Sequence, residues 1–324
     1  MYLSNKVIVY LALIPLKTYI VNEIKKSRDK MKKLYEKIDE FKNKYPLEKE
    51  FENRIPDPKF LYKGDTILEE AIAAILAGKN ILLVGDKSTG KNVLAEHLAY
   101  LFARPMWNIS FHVSVDASSL IGDDTLKSGN VIFREGPISL ASNYGGFAVL
   151  DEINMAKNEA MAVLHSVLDY RRRIDIPGYK LINVHPATRF IATMNYGYEG
   201  TRDLNEALLS RFAIIKMPRI SDSDLKHLIK THHPDLKETY INDIANFFKD
   251  LKDKALAHEI SDSAPDLRGI FDALDLIREG LEFKEAMRLC LVNKIFDDYE
   301  ADLIEDLLKA RFPENIYQKD ISNE

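Results

Sequence analysis

The chain has 324 residues, 46% of them hydrophobic and 29% charged, a balance that excludes a disordered chain and leaves room for two domains with sizeable cores. A formal net charge of −5 argues against a generally basic nucleic-acid binder. Cys290 is the only cysteine, which excludes an internal disulfide and a thiolate metal cluster and fits a reducing, cytoplasmic setting.

The first element is VIVYLALIPLKTYIV, residues 7–21. It is shorter than the ~20 residues a spanning helix needs, Pro15 and Lys17 interrupt it, and no small-residue cleavage site follows. We therefore expect a buried packing element here rather than a membrane anchor. Residues 22–44 are dense in charge, yet Met31, Leu34, Ile38, Phe41 and Tyr45 recur at alternating three and four spacing. That pattern predicts a helix laying one apolar stripe on its own domain. Pro46, Pro56 and Pro58 then mark a linker, which closes an N-terminal helical extension over residues 1–62.

From residue 63 apolar runs alternate with helix-like stretches. ILLVG (81–85), WNISF (107–111), FAVLD (147–151), RFIATMN (189–195) and AIIKM (213–217) read as strands. TILEEAIAAILAG, KNVLAEHLAYLFA and NEAMAVLHSVLDY, between or before them, read as helices. Continuous apolar strands with intervening helices predict a mostly parallel sheet covered on both faces, an α/β domain over residues 63–218. Beyond Pro218 only amphipathic helix patterns follow, so residues 219–324 are expected to form a helical domain.

Three constellations in the α/β region carry chemistry. GDKSTGKN, residues 85–92, sits between the strand ILLVG and a helix beginning near Lys91, the setting a phosphate-binding loop requires. Backbone N–H groups of Gly85, Asp86, Lys87, Ser88, Thr89 and Gly90 would face the phosphates, and Lys91 would add a movable positive charge. The next position normally carries a Ser or Thr hydroxyl that ligates Mg²⁺, but here it is Asn92. FAVLDEIN delivers Asp151 and Glu152 to the C-terminal end of a strand, where ligands of open α/β sheets bind. Asp151 would hold Mg²⁺ and Glu152 would act as general base on an attacking water. Asn195 closes RFIATMN and either orients that water or serves as a turn residue. Arg211, just before AIIKM, is either a surface ion-pair partner or a stabiliser of transition-state charge.

Together GDKSTGKN, FAVLDEIN, ATMN and GTRDLNEALLSRF resemble the MoxR-type branch of the AAA+ ATPases, near its CbbQ and NorQ members, over residues 63–220. The resemblance implies a P-loop AAA+ sheet with a C-terminal helical lid, ATP and Mg²⁺ as ligands, and ATP hydrolysis. It implies that Lys91 binds phosphate, that Asp151 and Glu152 are the Walker B pair, that Asn195 is sensor 1, and that Arg211 acts on a neighbouring subunit's nucleotide. Arg268, in SAPDLRG, resembles the sensor 2 arginine of the lid. Also implied are a homo-oligomeric, hexameric ring, a von Willebrand A domain partner and a remodelled protein client.

In that branch an insert lies before the Walker B strand; DTLKSGNVIFREGP occupies the place, and its Ser-Gly-Asn turn predicts a hairpin. A second insert corresponds to RRRIDIPGYKLINVHPATR, whose Arg171–Arg173 cluster is expected to be a solvated helix end. Two competing functions stay open at this point. One is a nucleic-acid-linked, restriction-type motor, which the acidic total disfavours. The other is a non-hydrolysing, nucleotide-gated scaffold, for which Asn92 is the sole hint. Asn offers Mg²⁺ a carbonyl oxygen one bond farther from the backbone than a hydroxyl. Since Mg²⁺ keeps several waters in its shell of six oxygens, the expectation is weakened or re-angled metal binding without loss of turnover.

Overall fold

In the computed structural model, residues 29–176, 178–179, 181–195 and 204–323 are described. The apolar run 7–21, expected to pack as core, lies outside them, as do residues 196–203 beyond Asn195. No helix among the described residues is long and apolar enough to cross a membrane. The chain divides into two compact units, Met1–Met217 and Pro218–Glu324.

The first unit is built on five parallel strands: β1 (Asn80–Val84), β2 (Met106–Ser110), β5 (Phe147–Asp151), β8 (Arg189–Met194) and β9 (Phe212–Lys216). They lie in the order β2-β5-β8-β1-β9. Because side chains alternate across a strand, the apolar runs feed two cores at once. Ile81 and Leu83 of β1 point to one face and Leu82 and Val84 to the other.

On the first face lie α2 (Asp65–Leu76) and α3 (Lys91–Leu101), through Ile72, Ile75, Leu94 and Leu98. The helix α1, residues 29–44, joins them. It buries Ile38 and Phe41, with Met31, Leu34 and Tyr45 alongside, so the stripe read from the sequence faces its own domain. On the second face lie α5 (Pro137–Asn143) and α6 (Asn158–Leu168), through Ile138, Ala141, Leu164 and Leu168. This is the α/β arrangement with helices on both faces that the strand pattern implied.

The first insert forms the expected hairpin. After the short helix α4 (Ala117–Ile121), β3 (Gly122–Lys127) and β4 (Asn130–Glu135) pair antiparallel, with Lys127 opposite Asn130. Ser128 and Gly129, at φ 51° and 82°, make the two-residue turn that needs two left-handed residues. Leu126 and Val131 near its tip are 73% and 64% exposed. The second insert forms a small ribbon, β6 (Arg173–Ile174) with β7 (Ile182–Asn183). The arginine cluster does not behave as one solvated end. Arg171 pairs with Asp169 at the surface, but Arg172 turns inward and donates through Nη2 to the carbonyls of His185 and Thr188, at 3.2 and 3.0 Å. A guanidinium can reach carbonyls that strand pairing leaves spare, and that turned one of three neighbouring arginines into a brace.

The second unit is helical throughout: α8 (Asp222–His232), α9 (Glu238–Leu256), α10 (Leu267–Arg278), α11 (Phe283–Cys290), α12 (Asp298–Arg311) and α13 (Gln318–Ile321). Ser221, Asp266, Glu282 and Asp297 each cap a helix by accepting a backbone N–H in its first turn. The apolar faces meet in one core around Phe247, Phe248, Leu251, Phe283 and Phe312. Cys290 is buried there as a free thiol.

Candidate nucleotide site

The site forms where the C-terminal ends of β5, β8 and β1 come together. The order β5-β8-β1 sets β8 between the strand carrying Asp151 and the strand leading into Gly85. The helix α3 starts directly after the loop, so its unpaired N–H groups and positive dipole end face the same edge. Two loop residues take left-handed backbone, Ser88 at φ 61° and Gly90 at φ 82°. Gly85 is required for another reason: a Cβ there would come within 2.9 Å of the Met217 Cβ.

Lys91 is buried beneath this loop and donates from Nζ to the carbonyls of Gly85 and Asp86, at 2.9 and 2.7 Å. Burial pulls its pKa from 10.5 to about 8, against the opposing pull of Asp151, Asp86 and Glu152. The ammonium is thus held at the inner wall of the loop by neutral carbonyls, which a more strongly accepting phosphate oxygen can replace. Thr89 Oγ1 donates to the Asp86 carbonyl at 2.9 Å and tightens the turn.

Asn92 Nδ2 donates to Asp151 Oδ2 at 3.1 Å. An ionised carboxylate only accepts, so this contact fixes which end of the amide faces Asp151. A Ser or Thr hydroxyl could donate to the carboxylate and ligate a cation with the same oxygen. The amide separates those two capacities, and Asn92 must turn before its carbonyl oxygen can join Asp151 on a metal. Residues fitting Mg²⁺ are therefore present, in the small number that an ion keeping phosphate oxygens and waters needs.

Sequence reading missed the group at the centre of the site. Leu150 of β5 pairs with Ala192 of β8, so Asp151 and Thr193 come next to each other in register. Thr193 Oγ1 donates to Asp151 Oδ1 at 2.5 Å and accepts from the Glu152 N–H at 3.0 Å. One hydroxyl, on a residue 1% exposed, thus holds both acidic residues. Glu152 itself sits at φ 54°, a conformation uncommon for a residue with a Cβ and frequent at functional sites. Asn195 Nδ2 donates to Glu152 Oε1 at 3.2 Å, and the Asn195 carbonyl is held by Asn154 Nδ2 at 3.1 Å. The signals were there: a Thr inside an apolar strand, and the Asn of DEIN buried two residues beyond Glu152. Tyr62 was missed too; its ring lies so close to Gly90 that a Cβ there would be 3.3 Å away.

The structure thus brings together Lys91, Asn92, Asp151, Glu152 and Asn195. Arg211 belongs to the same unit but stands after α7 (Glu206–Leu209), donating from Nη1 to the Ala207 carbonyl. Among the described residues its buried Nε has no acceptor. Arg268 lies exposed in the first turn of α10, in the second unit.

Residues 80–212, from β1 to the start of β9, match the AAA domain family, dynein-related subfamily. An uncharacterised protein of Staphylococcus haemolyticus is 33% identical over 260 residues, 78% of this chain and 98% of that one. The chain belongs to the AAA+ ATPases. A second uncharacterised relative of the ATPase, from Staphylococcus aureus, is 34% identical over 253 residues, 76% of this chain and 96% of its own. A crystal structure from Cytophaga hutchinsonii aligns over 91% of the ATPase and 99% of its own chain, with 17% identity and a TM-score of 0.45, too loose a likeness to argue from.

Proposed function

We propose that this ATPase is a MoxR-type remodelling machine: a cytoplasmic, hexameric homo-oligomer in which hydrolysis moves the helical lid against the α/β domain and so works on a protein client, together with a von Willebrand A domain partner. The observation that carries the reading is the Asn195 contact to Glu152 at the sheet edge that also holds Lys91. A protein that only binds nucleotide has no use for an oriented general base.

In this reading residues 85–92 wrap the triphosphate, and Lys91 exchanges the Gly85 and Asp86 carbonyls for phosphate oxygens. Asp151 and the turned Asn92 would hold Mg²⁺, which when bound offsets charge on the phosphate oxygens. Glu152 takes the proton of the attacking water while Asn195 fixes the carboxylate's direction. Arg211, whose Nε lacks an acceptor among the described residues, would reach the nucleotide of a neighbouring subunit, and Arg268 would respond to it from the lid. The hairpin tip, with Leu126 and Val131 exposed, supplies an apolar surface for a client.

Glu152→Gln is the decisive variant. It should bind ATP as the wild type does, hydrolyse it at least ~100-fold more slowly, and retain client and partner proteins on the nucleotide-locked assembly. Wild-type-like turnover in Glu152→Gln would remove the assigned base. Absence of hydrolysis by the assembled wild type would leave only a nucleotide-gated scaffold.

A further inference from the structure

Two buried guanidiniums, Arg104 and Arg189, and a half-buried one, Arg172, lie away from the nucleotide. Arg189 is the first residue of β8, and Asn195 follows its last. Six residues of strand span about 20 Å, so Arg189 stands at the opposite edge of the sheet from the loop. Arg189 donates from Nε to the Ile75 carbonyl at 2.8 Å, and from Nη1 to the Pro186 and Thr188 carbonyls, both at 2.7 Å. Arg104 donates to the carbonyls of Ala103 and Tyr45, at 3.0 and 2.7 Å, and Arg172 to those of His185 and Thr188. Among the described residues none of the three forms a salt bridge.

Carbonyls solvate a guanidinium without neutralising it, and arginine keeps its proton at physiological pH. Burial pushes Arg189 down to about 10, and the charge of Arg172 adds to that. The His185 imidazole is pushed down by burial and then by Arg104 and Arg172. Among the described residues, then, this positive cluster is held by carbonyls and not by a carboxylate in salt-bridge contact.

Of the three, Arg189 lines a groove of about 460 Å³ between α1 and α2. Arg189 reaches it over the ring of Phe41, 5.7 Å from the centroid, and Leu34 and Leu76 line it beside Phe41. The exposed Lys37 and Lys44 of α1 line it, and among the described residues Glu40 is the one carboxylate on its wall. The Nη2 edge of Arg189 makes no hydrogen bond among the described residues, whereas its other nitrogens are committed to carbonyls.

We propose that this groove is a second binding site, for a carboxylate carried on an apolar frame. The carboxylate would meet Arg189 Nη2 and the lysines, and the frame would lie on Phe41, Leu34 and Leu76. A planar guanidinium matches a carboxylate, while Glu40 opposes a dianionic phosphate. The occupant is a small aromatic acid, since a groove of about 460 Å³ is the size of a site for one small ligand.

The site is tested with the full chain and no nucleotide, by calorimetric titration of phenylacetate, of its neutral counterpart 2-phenylethanol, of inorganic phosphate and of an acetylated Asp-Phe-Asp-Leu peptide. Phenylacetate should bind saturably, with a dissociation constant on the order of 1 mM for so small a ligand, and equally to Lys91→Ala. The peptide should bind no more tightly than phenylacetate; a tighter peptide would overturn the small acid as occupant. The double variant Lys37→Glu/Lys44→Glu should weaken binding at least ~10-fold, and so should Ala73→Trp, which fills the groove from exposed Ala73 on α2. The proposal is overturned if no probe saturates, if 2-phenylethanol or phosphate binds as well as phenylacetate, or if the folded variants bind like wild type. None of these outcomes touches the ATPase reading, since nucleotide is absent throughout.

Discussion

Replacing Thr193 by Val tests the architecture of the site more sharply than removing any residue that would contact nucleotide. Val has the shape of Thr and keeps the packing of a fully buried strand position, but it deletes both hydrogen bonds of Oγ1. The first, 2.5 Å to Asp151 Oδ1, is charge-assisted and is worth about 1.5–3 kcal/mol. The second leaves the Glu152 N–H without its acceptor, at a cost of about 1–3 kcal/mol. Asp151 is only partly buried, so water recovers some of the first. A net loss of about 1.5–3 kcal/mol in holding the acidic pair is reasonable, equivalent to roughly a 10- to 150-fold fall in turnover if it all bears on the transition state.

The assay is steady-state ATP hydrolysis across a range of Mg²⁺ concentrations, with thermal unfolding followed in parallel. Thr193→Val should lower kcat and raise the Mg²⁺ concentration at half-saturation, because Asp151 loses one of the two groups that aim it. Thr193→Ser, which keeps the hydroxyl, should restore both. A folded Thr193→Val whose kcat and Mg²⁺ dependence stay within about threefold of wild type, well under the 10-fold lower bound above, would show that the strand alone positions Asp151 and Glu152.

Two other outcomes follow from the same geometry. Asn92→Thr places one oxygen where an amide now has to turn, so hydrolysis should be sustained or raised and half-saturation should shift to lower Mg²⁺; a large fall in turnover would show that the amide contact to Asp151 is itself required. Lys91 in the free protein loses its proton around pH 8, so triphosphate affinity should fall as pH rises through that value, approaching tenfold per unit. Lys91→Arg, whose charge persists, should flatten that pH profile, read by fluorescent-nucleotide titration. Because the folded pKa lies below the ordinary 10.5, the unfolded chain binds the extra proton between about pH 8 and 10.5, and this residue's contribution to folding stability should rise with pH across that window.

The strands were legible because a parallel sheet buried on both faces writes each strand as an unbroken apolar run, and the helices because each has one face to bury. Phe147–Asp151 came out to the residue, and the other four strands within one residue at each end. What the sequence hid are contacts set by register. Thr193 looks like an ordinary β-branched strand residue until β5 and β8 pair at Leu150 and Ala192, which brings its hydroxyl onto Asp151. Arg172 looks like one of three surface arginines until the loop before β8 presents its carbonyls.

The same distinction bears on Asn92. Taken letter by letter, the loop has lost its metal-binding hydroxyl. In the folded site a hydroxyl still bonds to the carboxylate proposed to hold Mg²⁺, but it arrives from β8, while the amide of Asn92 occupies the other carboxylate oxygen. Asp151 is thus aimed from two sides before any ion is present. An amide at the loop therefore removes a ligand without removing the orientation of Asp151, and a pre-aimed carboxylate is what an ion that keeps most of its own waters requires from a protein.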